Sequence, residues 1–257
     1  MSQLVFPFPM TIFTMKSRIL RFILPTIVWL FFWQILAVAV GNTFLFPGIA
    51  QTSKALLALL GSFDFYKAIF FSVIRVSVGL SLGIVFGAIL AIICHHFLVI
   101  KSIVSPAITV IKSTPVASFI VVLWVMMSGN VLSVFIALLM VMPIIWQSVM
   151  NSFSFIDEQL DEVAKIFEFS TAKRYKLLIL PTTKKFLVPA IVTSCGLAWK
   201  AEIAAEIIAY TKNSIGQGIN DAKYSMDTPT VFAWTIIIII FSIILERVTK
   251  YFLRRTS

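Results

Sequence analysis

The chain has 257 residues, of which 60% are hydrophobic and 12% charged, with a formal net charge of +10. One soluble core of this size cannot cover so much apolar surface, so the composition excludes an ordinary water-soluble domain and points to the lipid bilayer as solvent. The basic residues fall in short clusters between apolar runs and build no continuous basic face, which argues against a nucleic-acid partner and marks topology instead.

A spanning helix needs about 20 mostly apolar residues, because it carries its own backbone hydrogen bonds across roughly 30 Å of hydrocarbon. After a tail over 1–18, such runs predict an all-α, polytopic chain with six spans. They are Ile19 to Val40, Ala68 to Cys94, Leu98 to Met127, Val131 to Met150, Phe186 to Tyr210 and Val231 to Val248. The first follows Lys16, Arg18 and Arg21 but is long, Trp-rich and without a small-residue cleavage site, so it reads as a retained helix rather than a signal peptide. In the third, Pro106, Lys112 and Pro115 interrupt the run, which leaves its first half open to an interfacial or cavity-lining role. The transmembrane domain is expected over 19–253, with a core at about 68–250.

Of the 21 Lys and Arg residues, Lys54, Lys67, Lys212 and Lys223 fall on one side, Arg75 and Lys200 within spans, and the remaining fifteen on the other side. The positive-inside rule makes that richer side cytoplasmic and puts both termini there. The longest connection, 151–185, then faces the cytoplasm. Its acidic residues come early (Asp157, Glu158, Asp161, Glu162, Glu168) and its basic ones late (Lys173, Arg174, Lys176), as suits the dipole of one or two short helices. Ala164, Ile166 and Phe167 give it a small apolar face on which a soluble partner can dock.

Within the spans, Gly79, Gly83 and Gly87 recur every four residues and form a stripe for close helix packing. Ionised groups at depth are costly and face a bundle interior, a partner charge or water, so Arg75, Lys200, Glu202 and Glu206 are candidates for the translocation path or for buried ion pairs. Glu202 and Glu206 share a helix face, whereas Lys200 points about 160° away from Glu202 and needs a partner elsewhere; an Arg75–Glu206 bridge between helices is the packing alternative. His95 and His96 diverge too far for one metal, and Cys94 and Cys195 sit in apolar runs without metal or redox spacing. No metal or disulfide is expected. The polar loop 213–229, with Gly216, Gly218, Asp221, Lys223 and Asp227, reads as a solvated connector or a contact for an external protein.

The stretch DEVAKIFEFSTAKRYKLLILP resembles the cytoplasmic signature of binding-protein-dependent ABC importer permeases: Glu, Ala, Ala, three residues, Gly, nine residues, Ile, one residue, Leu, Pro. Glu162, Ala164, Leu180 and Pro181 match it, Val163 replaces an alanine, and Leu178 stands at the isoleucine. Glu168 stands where the family has glycine, so either a residue that prefers negative φ makes the turn or Phe169, Ser170 and Thr171 shift it. Further patches carry the resemblance from about Ala68 to Glu246, among them SVIRVSVGLSLGIVFGAILA, LAWKAEIAAEII and SIGQGINDAKYSMDTPTVFAW, and are similar to the nitrate, sulfonate and taurine branch.

The resemblance implies the type I importer (MetI-like) permease fold, set in a bacterial inner membrane. It also implies a non-catalytic subunit that pairs with a second permease, most simply its own copy, and works with cytoplasmic ATPases and an extracytoplasmic solute-binding protein. ATP and Mg would be used by the ATPase, and this chain would bind no cofactor. Glu162, Ala164, Phe167, Glu168, Leu180 and Pro181 are the residues it assigns to ATPase coupling. The residues agree independently, since the chain has no GxxxxGK[ST] loop. Two other classes remain: a stand-alone secondary transporter with ion-coupled buried charges, which would call for internal repeats that are not apparent, and a non-transporting membrane scaffold.

Overall fold

The computed structural model describes residues 15–156 and 158–255; the first fourteen residues of the expected tail, and Asp157, lie outside them. Every regular element described is helical. In chain order these are α1 Met15–Val40, α2 Ile49–Leu60, α3 Phe63–His96, α4 Leu98–Ser113, α5 Val116–Trp124, α6 Gly129–Ser154, α7 Glu158–Ile166, α8 Thr171–Arg174, a π-helical turn Tyr175–Ile179, α9 Leu180–Ile208, α10 Ile215–Tyr224 and α11 Thr228–Arg255. Among the described residues, five stretches are long and apolar enough to cross a membrane: Ile23–Val40, Phe63–His96, Gly129–Ser154, Ala172–Ile208 and Thr228–Leu253. The number rises to six when α4 and α5 are taken as one broken span.

That span, expected over 98–127 with proline interruptions near its start, is broken well inside the run. The two helices meet at 100°, and the break falls at Thr114, whose backbone is extended (φ −84°, ψ 133°). A proline ring clashes with a helical residue before it, so Pro115 forces Thr114 out of the helix. Pro106, only two turns into α4, leaves that helix intact. The fifth span also starts earlier than its apolar run, because α8, the π turn and α9 form one continuous rod over Ala172–Ile208. Pro181 has no N–H to give the carbonyl four residues back, and the widened turn sits directly before it, with the Leu180 N–H reaching back five residues to Tyr175 O. The short helices α2 and α10, absent from the hydropathy reading, flank the end of the bundle where α3 begins and α9 stops.

The core lies where α3, α6 and α9 pack together. The glycine stripe makes this contact possible. A Cβ on Gly79 would stand 2.5 Å from Ala137 Cβ and 2.6 Å from Val134 O, one on Gly83 2.6 Å from Val141 Cβ, and one on Gly87 2.7 Å from Met142 O. Backbones this close gain dispersion contacts along the whole interface, the main attraction available between helices in lipid. α11 closes on α9 through Trp199, whose indole N–H donates to Ile238 O at 3.0 Å. α1 stands outermost, tied by Trp33 Nε1 to Pro47 O at 2.9 Å and presenting Trp29, Phe31 and Val38 outward as lipid-facing side chains.

Candidate functional site

One polar cluster is buried near the α10 end. α3 places Ser72 and Arg75 one turn apart, and α9 places Glu202 and Glu206 one turn apart, so the two pairs meet across the α3–α9 contact. Arg75 Nη2 lies 2.6 Å and Nε 2.9 Å from Glu206 Oε1, whereas Glu202 Oε1 is 3.4 Å from Nε. Both carboxylates are fully buried. Glu206 also accepts from Ser72 Oγ at 2.7 Å and from the Gly216 N–H at 3.1 Å. Glu202 Oε2 has no partner among the described residues. One guanidinium therefore serves two carboxylates, and it serves them unequally.

The cluster also anchors the segment after α9. Arg75 Nη2 donates to Asn213 O at 3.1 Å, Nη1 donates to Asn130 Oδ1 at 3.2 Å, and the Ile215 N–H donates to Ser72 Oγ at 3.2 Å. The first turn of α10 thus sits on a buried carboxylate, a favourable place for an anion. Gly216 is required there, because a Cβ would stand 2.5 Å from the Glu206 carbonyl carbon. Tyr210 and Asn213 take positive φ (51° and 50°) to turn the chain back. The Tyr210 hydroxyl donates to Asp221 Oδ1 at 2.6 Å, and that bond holds the phenol above its ordinary pKa. A cavity of about 520 Å³ opens beside Arg75 against Asn130, Lys212 and Asn213. A second, polar cavity of about 460 Å³ is lined by Asp64, Lys67, Gln217, Asp221 and Asp227.

Lys200 is not in the cluster. It lies on the opposite side of α9, exposed on the chain and in no ion pair among the described residues. His95 stacks on Phe153 with centroids 3.9 Å apart, which uses it as a packing ring. Cys94 and Cys195 are free and buried.

At the opposite end, Leu160 and Val163 of α7 and Phe167 just after it continue one stripe at helical spacing, all exposed, with Ile166 beside them at 76% and Phe167 at 70%. Glu162 and Glu168 are exposed, as are Leu180 and Pro181. Ala164 is the exception: it is buried, so it fits α7 onto its own chain. The turn stays at Glu168, which adopts φ +47°. The Phe169 N–H reaches back to Ala164 O at 2.9 Å, the six-to-one bond that closes a helix through a left-handed residue. Phe169 is in turn covered by Lys173, whose Nζ stands 4.0 Å from the ring centroid.

Sequence reasoning did not find Ser72, Asn130, Asn213 and Gly216 as partners of the ion pair. The spacing of Ser72 and Arg75 was the available signal for the first of them. Leu160 and Val163 were likewise visible only as part of an i, i+3, i+7 stripe.

Residues 83–257 match the family described as "Binding-protein-dependent transport system inner membrane component". A relative from Brucella melitensis named "Probable ABC transporter permease protein" is 24% identical over 230 residues, covering 88% of this chain and 91% of its own. A second, the "Putative aliphatic sulfonates transport permease protein SsuC" of Bacillus subtilis, is 24% identical over 225 residues, covering 86% of this chain and 79% of its own. With the match spanning two thirds of the chain and the apolar helices arranged as described, the protein belongs to the family of binding-protein-dependent inner-membrane components, the permeases of ABC transporters with the type I importer fold.

Proposed function

We propose that this chain pairs with a second permease, most simply another copy, to form the path of an ATP-driven importer for a small polar or anionic solute such as a sulfonate, taurine or nitrate. The exposed apolar stripe of α7 carries this reading. Leu160, Val163 and Phe167 stand in water at the end of the bundle where the basic loop residues cluster, and an unpartnered amphipathic helix of this kind fits a groove on a soluble protein. The positive-inside count makes that end cytoplasmic, so the fitting partner is the ATPase, which binds the ATP and Mg. The rod from Ala172 to Ile208 begins beside α7 and carries its rigid-body displacement through the membrane. At the other end, the polar cavity around Asp64, Lys67, Asp221 and Asp227 suits the external solute-binding protein. The sulfonate permease relative supports the solute class.

The test is reconstitution with the ATPase and binding protein in vesicles, comparing wild type with Phe167→Ala and Glu162→Ala. Truncating a buried aromatic at an interface costs about 2 kcal/mol or more, so Phe167→Ala should weaken ATPase association at least tenfold and lower ATP-dependent uptake with it. Unchanged association and uptake in both variants would remove the coupling role from α7. Uptake that follows a proton gradient without the ATPase would point to a secondary transporter, and no vectorial uptake under any condition to a scaffold.

A further inference from the structure

α9 has two faces of opposite character. Its buried face carries Cys195, Trp199, Glu202 and Glu206, while Pro189, Thr193, Leu197 and Lys200 are exposed on the other, with Gly196 and Ala204 half-buried at its edges. A Cβ on Gly196 would meet nothing within 4 Å. The span Ala172–Ile208, both faces together, has a mean hydropathy of 1.3, against 2.2 to 2.5 for the other four long spans. The exposed faces of those helices are rich in Ile, Val, Leu and Phe, as lipid requires; over 186–208 the exposed residues of α9 are a proline, a threonine, a leucine and a lysine.

An ammonium at this depth is costly to cover with lipid. Lys200 lies about eight residues, roughly 12 Å, before the end of α9, beyond the reach of a lysine stem that snorkels to the interface. The carboxylates of α9 and α11 are turned away from it. Glu202 and Glu206 are held by Arg75, and Glu246 belongs to α11, which packs on the Trp199 and Cys195 side of α9, about 100° to 140° round the helix from Lys200.

We propose that Lys200 lines the solute path and contacts the anionic group of the transported solute. The proposal rests on the importer reading above and adds to it the residue that selects for anions. In a homodimer whose path follows the twofold axis, two such lysines face it from opposite sides, and like charges in a low dielectric stay close only with an anion between them.

The test places a thiol one turn away on the same face, Leu197→Cys, with Cys94→Ala and Cys195→Ala removing the two buried native thiols. The full chain, with its ATPase in lipid nanodiscs, is treated with two charged thiol reagents. One is 2-sulfonatoethyl methanethiosulfonate, itself a sulfonate; the other is its cationic trimethylammonium counterpart. The readout is the anion-to-cation rate ratio in the Lys200, Lys200→Arg and Lys200→Met backgrounds. We expect the introduced thiol to react, with a ratio that Lys200→Arg retains and Lys200→Met lowers about tenfold, the size of one charge acting across one helical turn in a partly wet path. A ratio independent of residue 200 would overturn the proposal. So would a thiol that reacts with neither reagent in nanodiscs but does so after unfolding in detergent, because lipid or protein would then cover this face. ATPase stimulation by the binding protein is measured on the same samples. If it persists while the ratio fails, only the role of Lys200 falls; if it is absent in the native chain, the importer reading falls separately.

Discussion

Arg75→Met, Glu206→Gln and Glu202→Gln should destabilise the protein in that order, because a single guanidinium divides itself unequally between two buried carboxylates. Arg75→Met leaves both carboxylates at zero exposure without a cation, and it also removes the bonds to Asn130 and Asn213 O. Breaking a buried pair from one side costs about 3–5 kcal/mol. Glu206→Gln removes the 2.6 Å and 2.9 Å charge-assisted bonds, but Glu202 stands 3.4 Å from the same guanidinium and can close on it, so the cation keeps a counter-charge. About 1.5–3 kcal/mol, the range for hydrogen bonds to charged groups, is then lost. Glu202→Gln touches the weaker contact and replaces an oxygen that has no partner, so the change should stay under about 1 kcal/mol. Unfolding of each purified variant in mixed micelles, followed through tryptophan fluorescence against denaturing detergent, gives the three values. An equal cost for the two glutamines would show that the carboxylates share Arg75 evenly and refute the unequal division. A mild Arg75→Met would show that the cluster is held by Ser72 and Gly216 rather than by charge.

Two further outcomes follow from local geometry. Gly79→Ala and Gly83→Ala should each cost about 1–3 kcal/mol in the same unfolding assay, since the new Cβ stands 2.5 and 2.6 Å from Cβ atoms of α6 and, at Gly79, 2.6 Å from a backbone carbonyl; values near zero would mean that α3 and α6 slide apart without penalty. Glu168→Gly should stabilise the turn after α7. A left-handed non-glycine residue costs about 1–2 kcal/mol, part of which the entropy of an unfolded glycine takes back. The Phe169 amide, bonded to Ala164 O, should exchange about threefold more slowly with solvent deuterium in Glu168→Gly and no more slowly in Glu168→Ala. Faster exchange in the glycine variant would place the turn's stability in the Glu168 side chain instead.

The spans were legible because a lipid-exposed helix has to be apolar over its whole length, and that requirement survives in sequence whatever the packing. The bend between α4 and α5 was half legible. Pro106 and Pro115 are the same residue type in the same run, yet only Pro115 breaks the helix, so residue type alone does not place the break. α2 and α10 escaped notice for a different reason. They are short and lie at the bundle end, where hydropathy no longer selects, and their signals were local: Gly48 with Gln51 for one, Ser214 capping the Gln217 N–H for the other. The turn at Glu168 was left open by the sequence, because the six-to-one bond that pays for its strained φ is formed by backbone alone.

The charges show most clearly where periodicity stops informing. On one helix, 100° per residue fixes that Glu202 and Glu206 point together and that Lys200 points away, whatever surrounds them. It does not say which side of α9 meets the rest of the chain. The same numbers would have allowed Lys200 to be buried against α3 and both glutamates to face outward. Burial settles the choice through Arg75. A cation on α3 at the level of two carboxylates on α9 makes that side the inner one, because three charges cancel most of one another's desolvation when they meet and would each bear it alone in lipid. Once the glutamates take the inner side, Lys200 has no choice left. Its exposure follows from a pairing in which it takes no part, which is why a chain read residue by residue leaves path and ion pair open for all four charges, where the structure buries Arg75, Glu202 and Glu206 together and leaves Lys200 on an open face.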